Sequence, residues 1–476
     1  VTGKQFTMSI RTMIRNFDHQ ARHPRWPSCT FLIRGVATVV ILALANSASY
    51  VQAATPIPGE PQSGPIAIVG ATVHPMVGEA VEGGTVLFLD GKLTAIGKDV
   101  ELPEDVERID ATGKHVYPGL FCAGGELGLV EIDSIRATID VRETGSLNPN
   151  VKAQVAVNPE SELIPVTRAN GVLLALSNPQ GGLVSGMSVV LQLDGWTWED
   201  MTVRSPAAMH VQWPQMRASQ DWWTEQTAAQ QTADRDNQLQ QLQELFQQAQ
   251  FYRQAQRPEV VDVRYEALLP VLAGEVPLLV SADTLGQIQA AVALAAQYKL
   301  KLIINGGYDA ESCAALLREH DVPVIVPAVY RLPRRRSDPY DAAYSLPSRL
   351  HRAGVRFCIA GVDRFGASNL RNLPYHAGTA VAYGLPADEA LKAITLYPAQ
   401  ILGVDDRLGS LETGKEATLI VTTGNPLETA TQVELAFIAG RRVDLASRHT
   451  ELWWKYEEKY RRMRERGELE ALSTGE

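Results

Sequence analysis

Histidine and cysteine are scarce in this chain, and they never occur in the patterns that hold metals. Its 476 residues include 9 histidines and 4 cysteines. No His-x-His, His-Glu-x-x-His or Cys-x-x-Cys occurs. Cys29, Cys122, Cys313 and Cys358 are too widely spaced for a disulfide framework or a paired-cysteine zinc site. Cys313 and Cys358 stand in apolar surroundings and are expected to be buried as small apolar residues. Positive charge is also short. Lysine and arginine number 44 against 54 acids, a net charge of −10. A chain of that sign gains nothing from the phosphate attraction that drives nucleic-acid binding, so that class of partner is excluded. The apolar run Gly35 to Ala45 falls short of the ~20 residues that a membrane span needs.

What stands around that run reads as a targeting segment. A basic stretch from Arg11 to Arg34 precedes it, and small and polar residues follow as far as Val51-Gln52-Ala53. A basic start, a short apolar core and a small-x-small exit form the secretory pattern. Residues 1–53 are therefore expected to be a leader, cut after Ala53, with initiation at Met8 or Met13. The mature protein would be exported, periplasmic or extracellular, with no stable membrane span.

A Pro/Gly-rich linker, 54–65, leads into β-rich sequence over 66–117. Within it, two strand-like runs flank Asp90-Gly91, a strong short-range hairpin signal. The same texture returns over 406–443. Two β-rich pieces that bracket the rest can pair into one small composite β-sandwich. Between them, over 118–405, short apolar strands such as Pro277 to Val280 and Leu302 to Ile304 alternate with helical patterns. That alternation implies βα units with parallel strands. A Gln- and Ala-rich stretch, 224–256, interrupts the series, with Leu239, Leu242, Leu245 and Phe246 at helical spacing. It reads as a long surface helix. The tail, 444–476, is charged and aromatic, and reads as a helix laying Trp453, Trp454 and Tyr456 on the domain surface.

Two stretches carry a family resemblance. Gly113-Lys114-His115-Val116-Tyr117-Pro118-Gly119-Leu120 resembles the barrel entry of the amidohydrolase superfamily, in its imidazolonepropionase-like branch. Leu408 to Val421 (LGSLETGKEATLIV) resembles the exit, and Glu389 to Gly403 the last barrel helix. The resemblance implies an α/β fold: a (β/α)8 TIM-like barrel with a small β-sandwich built from both chain ends. It implies an active site at the C-terminal ends of the barrel strands. There a divalent metal, often zinc, lowers the pKa of a bound water that attacks a carbon–nitrogen centre of a small-molecule substrate.

Carried over residue by residue, the resemblance meets gaps. The two first-strand histidines of the family fall on Gly124 and Glu126. Glycine has no donor atom. Glu126 can offer oxygen to a hard cation, or make a hydrogen bond or ion pair instead. The next two histidine positions fall on Ser281 and on Asn305-Gly306. Ser281 to Thr284 reads better as a helix cap than as a ligand set, and Gly306-Gly307 as a backbone turn. Only the aspartate that ends the last strand is matched, by Asp363, the candidate catalytic base and, with Glu126, candidate metal ligand. Arg371 and His376 follow as candidates for anion recognition and catalysis. Gly181-Gly182 and Arg334-Arg335-Arg336 are candidates to shape the pocket, a basic run being commonly a solvated face. Three readings stand: a carbon–nitrogen hydrolase with a rebuilt metal site, a metal-free enzyme using Asp363 as general base, and a catalytically silent relative that binds a ligand or partner. Oligomerisation is compatible with each.

Overall fold

The computed structural model describes residues 57–219, 224–255, 261–362 and 366–467. The expected leader, Asp363 and the last nine residues lie outside them. The first β-rich stretch forms β1 (Ile66–Val73), β2 (Val81–Leu89), β3 (Lys92–Gly97), β4 (Glu107–Asp110) and β5 (His115–Pro118). Asp90 and Gly91 join β2 to β3 at φ +51° and +77°. Positive φ at both central residues is what a tight two-residue hairpin turn requires.

The α/β part contributes β6 (Leu120–Cys122), β7 (Val172–Ser177), β8 (Val184–Met187), β9 (Val189–Gln192), β10 (Thr202–Arg204) and β11 (Met209–Gln212). It continues with β12 (Leu278–Ala282), β13 (Leu302–Gly306), β14 (Val324–Val326) and β15 (Phe357–Ile359). The second β-rich stretch gives β16 (Leu419–Thr422), β17 (Val433–Ile438) and β18 (Arg441–Arg442).

Strands from both β-rich stretches share one 8-stranded sheet, in the order β18-β17-β16-β5-β1-β2-β3 with β4 beside β1. The joint is β5, parallel to β1 and antiparallel to β16, with Tyr117 opposite Ile420. The sheet curls back on itself. Leu93 N–H donates to the Lys415 carbonyl and Ala417 N–H to that of Gly91, each at 2.8 Å. Inside the curl, Phe88 meets Phe437 edge to face at 5.1 Å, among Ile68, Val86, Val116 and Leu419.

The α/β part holds two further sheets, ordered β10-β9-β7-β6 and β15-β14-β13-β12-β11-β8. β11 to β15 run parallel throughout. β12 to β15 begin as unbroken apolar runs, as expected of strands buried on both faces. The sheets meet at Ser188, between β8 and β9. Its N–H donates to Ala208 at 3.0 Å, and it accepts from Ala207 at 2.9 Å. On the far side, Phe121 N–H donates to Ile394 at 2.8 Å and Ile359 N–H to Ala393 at 3.0 Å. The Cys122 thiol donates to Ala360 at 2.8 Å across the same seam. Phe121, Leu174, Val190, Leu279, Ile303, Ile325 and Cys358, each from a different strand, pack into one apolar cluster.

Three helices differ in how much of their apolar surface they bury. α1 (Ala228–Gln254) buries Leu242, Leu245, Phe246 and Ala249, the i, i+3, i+4, i+7 stripe of a surface helix. α2 (Leu285–Tyr298) follows β12 and buries Ile288, Ala291, Val292 and Ala295 on the same rule. α3 (Arg448–Glu465) corrects an expectation. None of its side chains is buried, and Trp453, Trp454 and Tyr456 are 60%, 51% and 47% exposed. They do not seal onto the body of the protein. Cys122, Cys313 and Cys358 are free and buried.

Candidate functional site

The parallel register of β11, β12 and β13 builds the centre of the site. Gln212 lies opposite Ser281, and Ser281 opposite Asn305. Neighbouring strands are ~4.8 Å apart. Three neutral polar residues thus stand side by side where the strands end. They line a cleft of about 320 Å³ with Gln215, Asp283, Gly306, Arg331 and Val362. The cleft opens at the C-terminal ends of the strands, where βα folds place their chemistry.

The loop from β12 to α2 is fixed by its own sequence. Thr284 is the residue that caps α2, and Gln287 completes the cap. The Gln287 side-chain oxygen accepts from the N–H of Asp283 at 3.2 Å and of Thr284 at 3.1 Å, while its amide donates to Trp213. The cap expected over Ser281 to Thr284 therefore rests on Thr284, and Asp283 is left with another task. Its carboxylate accepts from Arg331 at 3.0 Å and also pairs with Arg334. Arg335 binds Asp309 at 2.9 Å. All three guanidiniums lie within 6 Å of the Tyr308 ring, at 5.8, 5.9 and 5.8 Å. Tyr308 in turn donates to Asp338 at 2.9 Å. Arg334, Arg335 and Arg336 are exposed, as expected of a basic run, yet the first two are paired. With Arg331, which lines the cleft, these pairs tie down the segment after β14.

Glycine is required beneath that pair. Gly306 has φ +119°, and a Cβ there would lie 2.7 Å from the Asp283 Oδ1 and 2.9 Å from the Ala282 carbonyl. The turn expected at Gly306-Gly307 is present, with φ +66° at Gly307. Gly124 differs. A Cβ there would meet Val362, Ala360 and Asn178 at ordinary contact distances of 3.5–3.6 Å. Packing does not demand glycine at that point, which borders the cleft through Val362.

Glu126 accepts a hydrogen bond from Gln180 and does not line the cleft. Burial, and then the charge of Asp133, raises its pKa above the usual carboxylate range. Asp363 lies outside the described residues. Arg371 does not reach the cleft: it sits 3.5 Å from His449, at the start of α3. His376 is fully buried. Its Nδ1 accepts from the Val329 N–H at 3.2 Å, and its ring lies 4.1 Å from that of Tyr330. These contacts hold the base of the Arg331 segment.

The donors present do not fit a histidine-held metal. Among the described residues, no three histidine, cysteine, aspartate or glutamate side chains come together to hold an ion. Gln212, Ser281 and Asn305 offer neutral oxygen and nitrogen, and Asp283 is already matched by two guanidiniums whose charge would repel a cation. Sequence reasoning missed Arg331 and Gln212. The available signal was place: Gln212 ends β11 and Arg331 follows the apolar β14, where such folds put their binding loops.

Residues 281–443 match the model of the amidohydrolase family. The chain is 30% identical over 152 residues to an imidazolonepropionase of Brucella anthropi, covering 31% of this chain and 36% of that protein. It is 32% identical over 148 residues to an imidazolonepropionase of Mesorhizobium japonicum, covering 30% and 34%. The matched stretch thus spans about a third of the length of these curated relatives. An amidohydrolase structure from Thermotoga maritima is similar over 80% of this chain and 99% of its own, at 26% identity and a TM-score of 0.71. The chain is thus similar to the amidohydrolase superfamily, to imidazolonepropionases in the matched stretch and to the Thermotoga amidohydrolase over most of its length.

Proposed function

We propose that the protein is an amidohydrolase-like hydrolase of non-peptide carbon–nitrogen bonds in small molecules. In this reading the cleft at the strand ends acts through its own hydrogen-bond donors. The observation that carries it is the ladder Gln212–Ser281–Asn305, with Arg331 over it, in the place where the family performs its chemistry. Fixed donors aimed at a carbonyl oxygen stabilise the negative charge that develops when water attacks. Arg331 and the Asn305 amide fill that role. Asp363, which the sequence sets at the end of the last strand, takes the proton from water and returns it to the leaving nitrogen.

One closed barrel underlies this reading. The hydrogen bonds at Ser188 and at Ala393-Ile394, and the apolar cluster shared by seven strands, support joining the two sheets into a single ring.

The test is turnover of a panel of cyclic amides and N-acyl amino acids by chelator-treated protein. Activity should survive chelation and vanish in Asp363→Asn. Activity that appears only when zinc or manganese is added refutes the metal-free route. The outcome that would replace this reading is a binding protein without turnover. Saturable ligand binding with no hydrolysis across the panel would establish it.

A further inference from the structure

We propose that α3 is an interfacial helix that docks the protein on an anionic lipid surface. It lies on the membrane without crossing it, since no helix among the described residues is long and apolar enough to span. The helix has no buried side chain over eighteen residues. Leu452, Trp453, Trp454, Tyr456 and Tyr460 are 41%, 60%, 51%, 47% and 46% exposed. So dense a set of large apolar groups in water marks an interaction surface.

The order of residues identifies the partner. At ~100° per residue, Leu452, Trp453, Tyr456, Tyr460 and Met463 fall within one roughly 100°-wide stripe. Arg448, Lys455 and Lys459 flank it on one side, and Arg464 on the other. Glu451, Glu458 and Glu465 fall on the opposite side, with Trp454 among them and outside the stripe, leaving Glu457 as the acid beside the stripe. Arg461 and Arg462 bind Glu458 at 2.7 Å, so the acidic side is neutralised within the helix. Lys455 and Lys459 instead lie over the Tyr456 and Tyr460 rings, at 5.6–6.0 Å.

Tryptophan and tyrosine bordered by lysine and arginine is the composition that settles at a bilayer interface: rings at the headgroup level, cations toward lipid phosphate. A second copy of the helix would bury the aromatics equally well but gives no reason for cations along both borders. The net charge of −10 does not oppose docking, because at physiological salt charges beyond ~8 Å are screened and the helix presents its own.

Co-sedimentation of the whole protein with vesicles tests the proposal. Vesicles of phosphatidylcholine with phosphatidylglycerol should bind it, and binding should fall steeply as salt rises from about 0.1 to 0.5 M. Vesicles of phosphatidylcholine alone should bind about tenfold more weakly. Trp453→Ala with Tyr456→Ala, and separately Lys455→Glu with Lys459→Glu, should each reduce affinity for the mixed vesicles about tenfold or more. Circular dichroism and the unfolding midpoint should be unchanged, since the altered side chains are exposed. No binding to the mixed vesicles, or binding by both variants as tight as that of the native protein, overturns the proposal. So does a dimer in sedimentation equilibrium that the aromatic variant dissolves, which would assign the stripe to a second copy.

Discussion

Mild acid should destabilise this protein through one buried histidine. His210 lies in β11, between Leu279 of β12 and Gly186 of β8, and is 6% exposed. Its Nε2 is buried without a hydrogen-bond partner among the described residues. Burial pushes its pKa from 6.5 down to about 3, so the folded protein holds the ring neutral. Above pH 6.5 the ring is neutral in both states and contributes nothing to the pH dependence. Below 6.5 the unfolded chain takes up a proton that the folded chain refuses, and stability falls by about 1.4 kcal/mol per pH unit until about pH 3. Between pH 6.5 and 5 the loss is about 2 kcal/mol. His74, lowered to about 4 by burial and by the neighbouring His115, slopes the same way, and so the readout must be a difference. Urea unfolding of the native protein and of His210→Gln at pH 7, 6 and 5 supplies it. The variant should start less stable, through the changed packing of the strand, and lose about 2 kcal/mol less on acidification. Parallel pH curves, or a His210 ring that titrates near 6.5 by NMR, would refute the reasoning.

Three substitutions elsewhere have equally definite expected outcomes. Asp283→Asn removes the carboxylate that holds Arg331 and Arg334. The side chains are 23%, 24% and 34% exposed, so the stability cost should be only about 1 kcal/mol, while trypsin cuts the 331–335 segment faster than in the native protein. Gly306→Ala places a Cβ against Asp283 and the Ala282 carbonyl at an unfavourable φ, and should cost about 2–3 kcal/mol in chemical denaturation. Arg168→Ala leaves Asp194 buried, with Arg441 at 3.6 Å as its remaining ion-pair partner; the native pair is 3.0 Å long and nearly inaccessible, so a loss of about 3 kcal/mol is expected.

The elements that local sequence controls were legible. Asp90-Gly91 gave the hairpin because few other residue pairs accept positive φ twice in succession. Leu285 to Tyr298 gave a helix through its spacing. The glycines after β13 announced a turn, and the two flanking motifs announced the family. Gly124 and Ser281, where the resemblance expects histidine, carry none whatever the fold does.

Sequence alone thus determined the family resemblance, the alternation of strands and helices, and the lack of histidine at the positions where the resemblance expects it, because each depends on residue type and short spacing. Tertiary structure decided which polar groups stand together. Gln212, Ser281 and Asn305 become neighbours only through strand register, and Arg331 meets Asp283 across 48 residues of chain. It also left the aromatic face of α3 exposed, where periodicity alone suggested packing. Periodicity reports that a helix has an apolar face; only the packing of the whole chain determines whether that face has a partner.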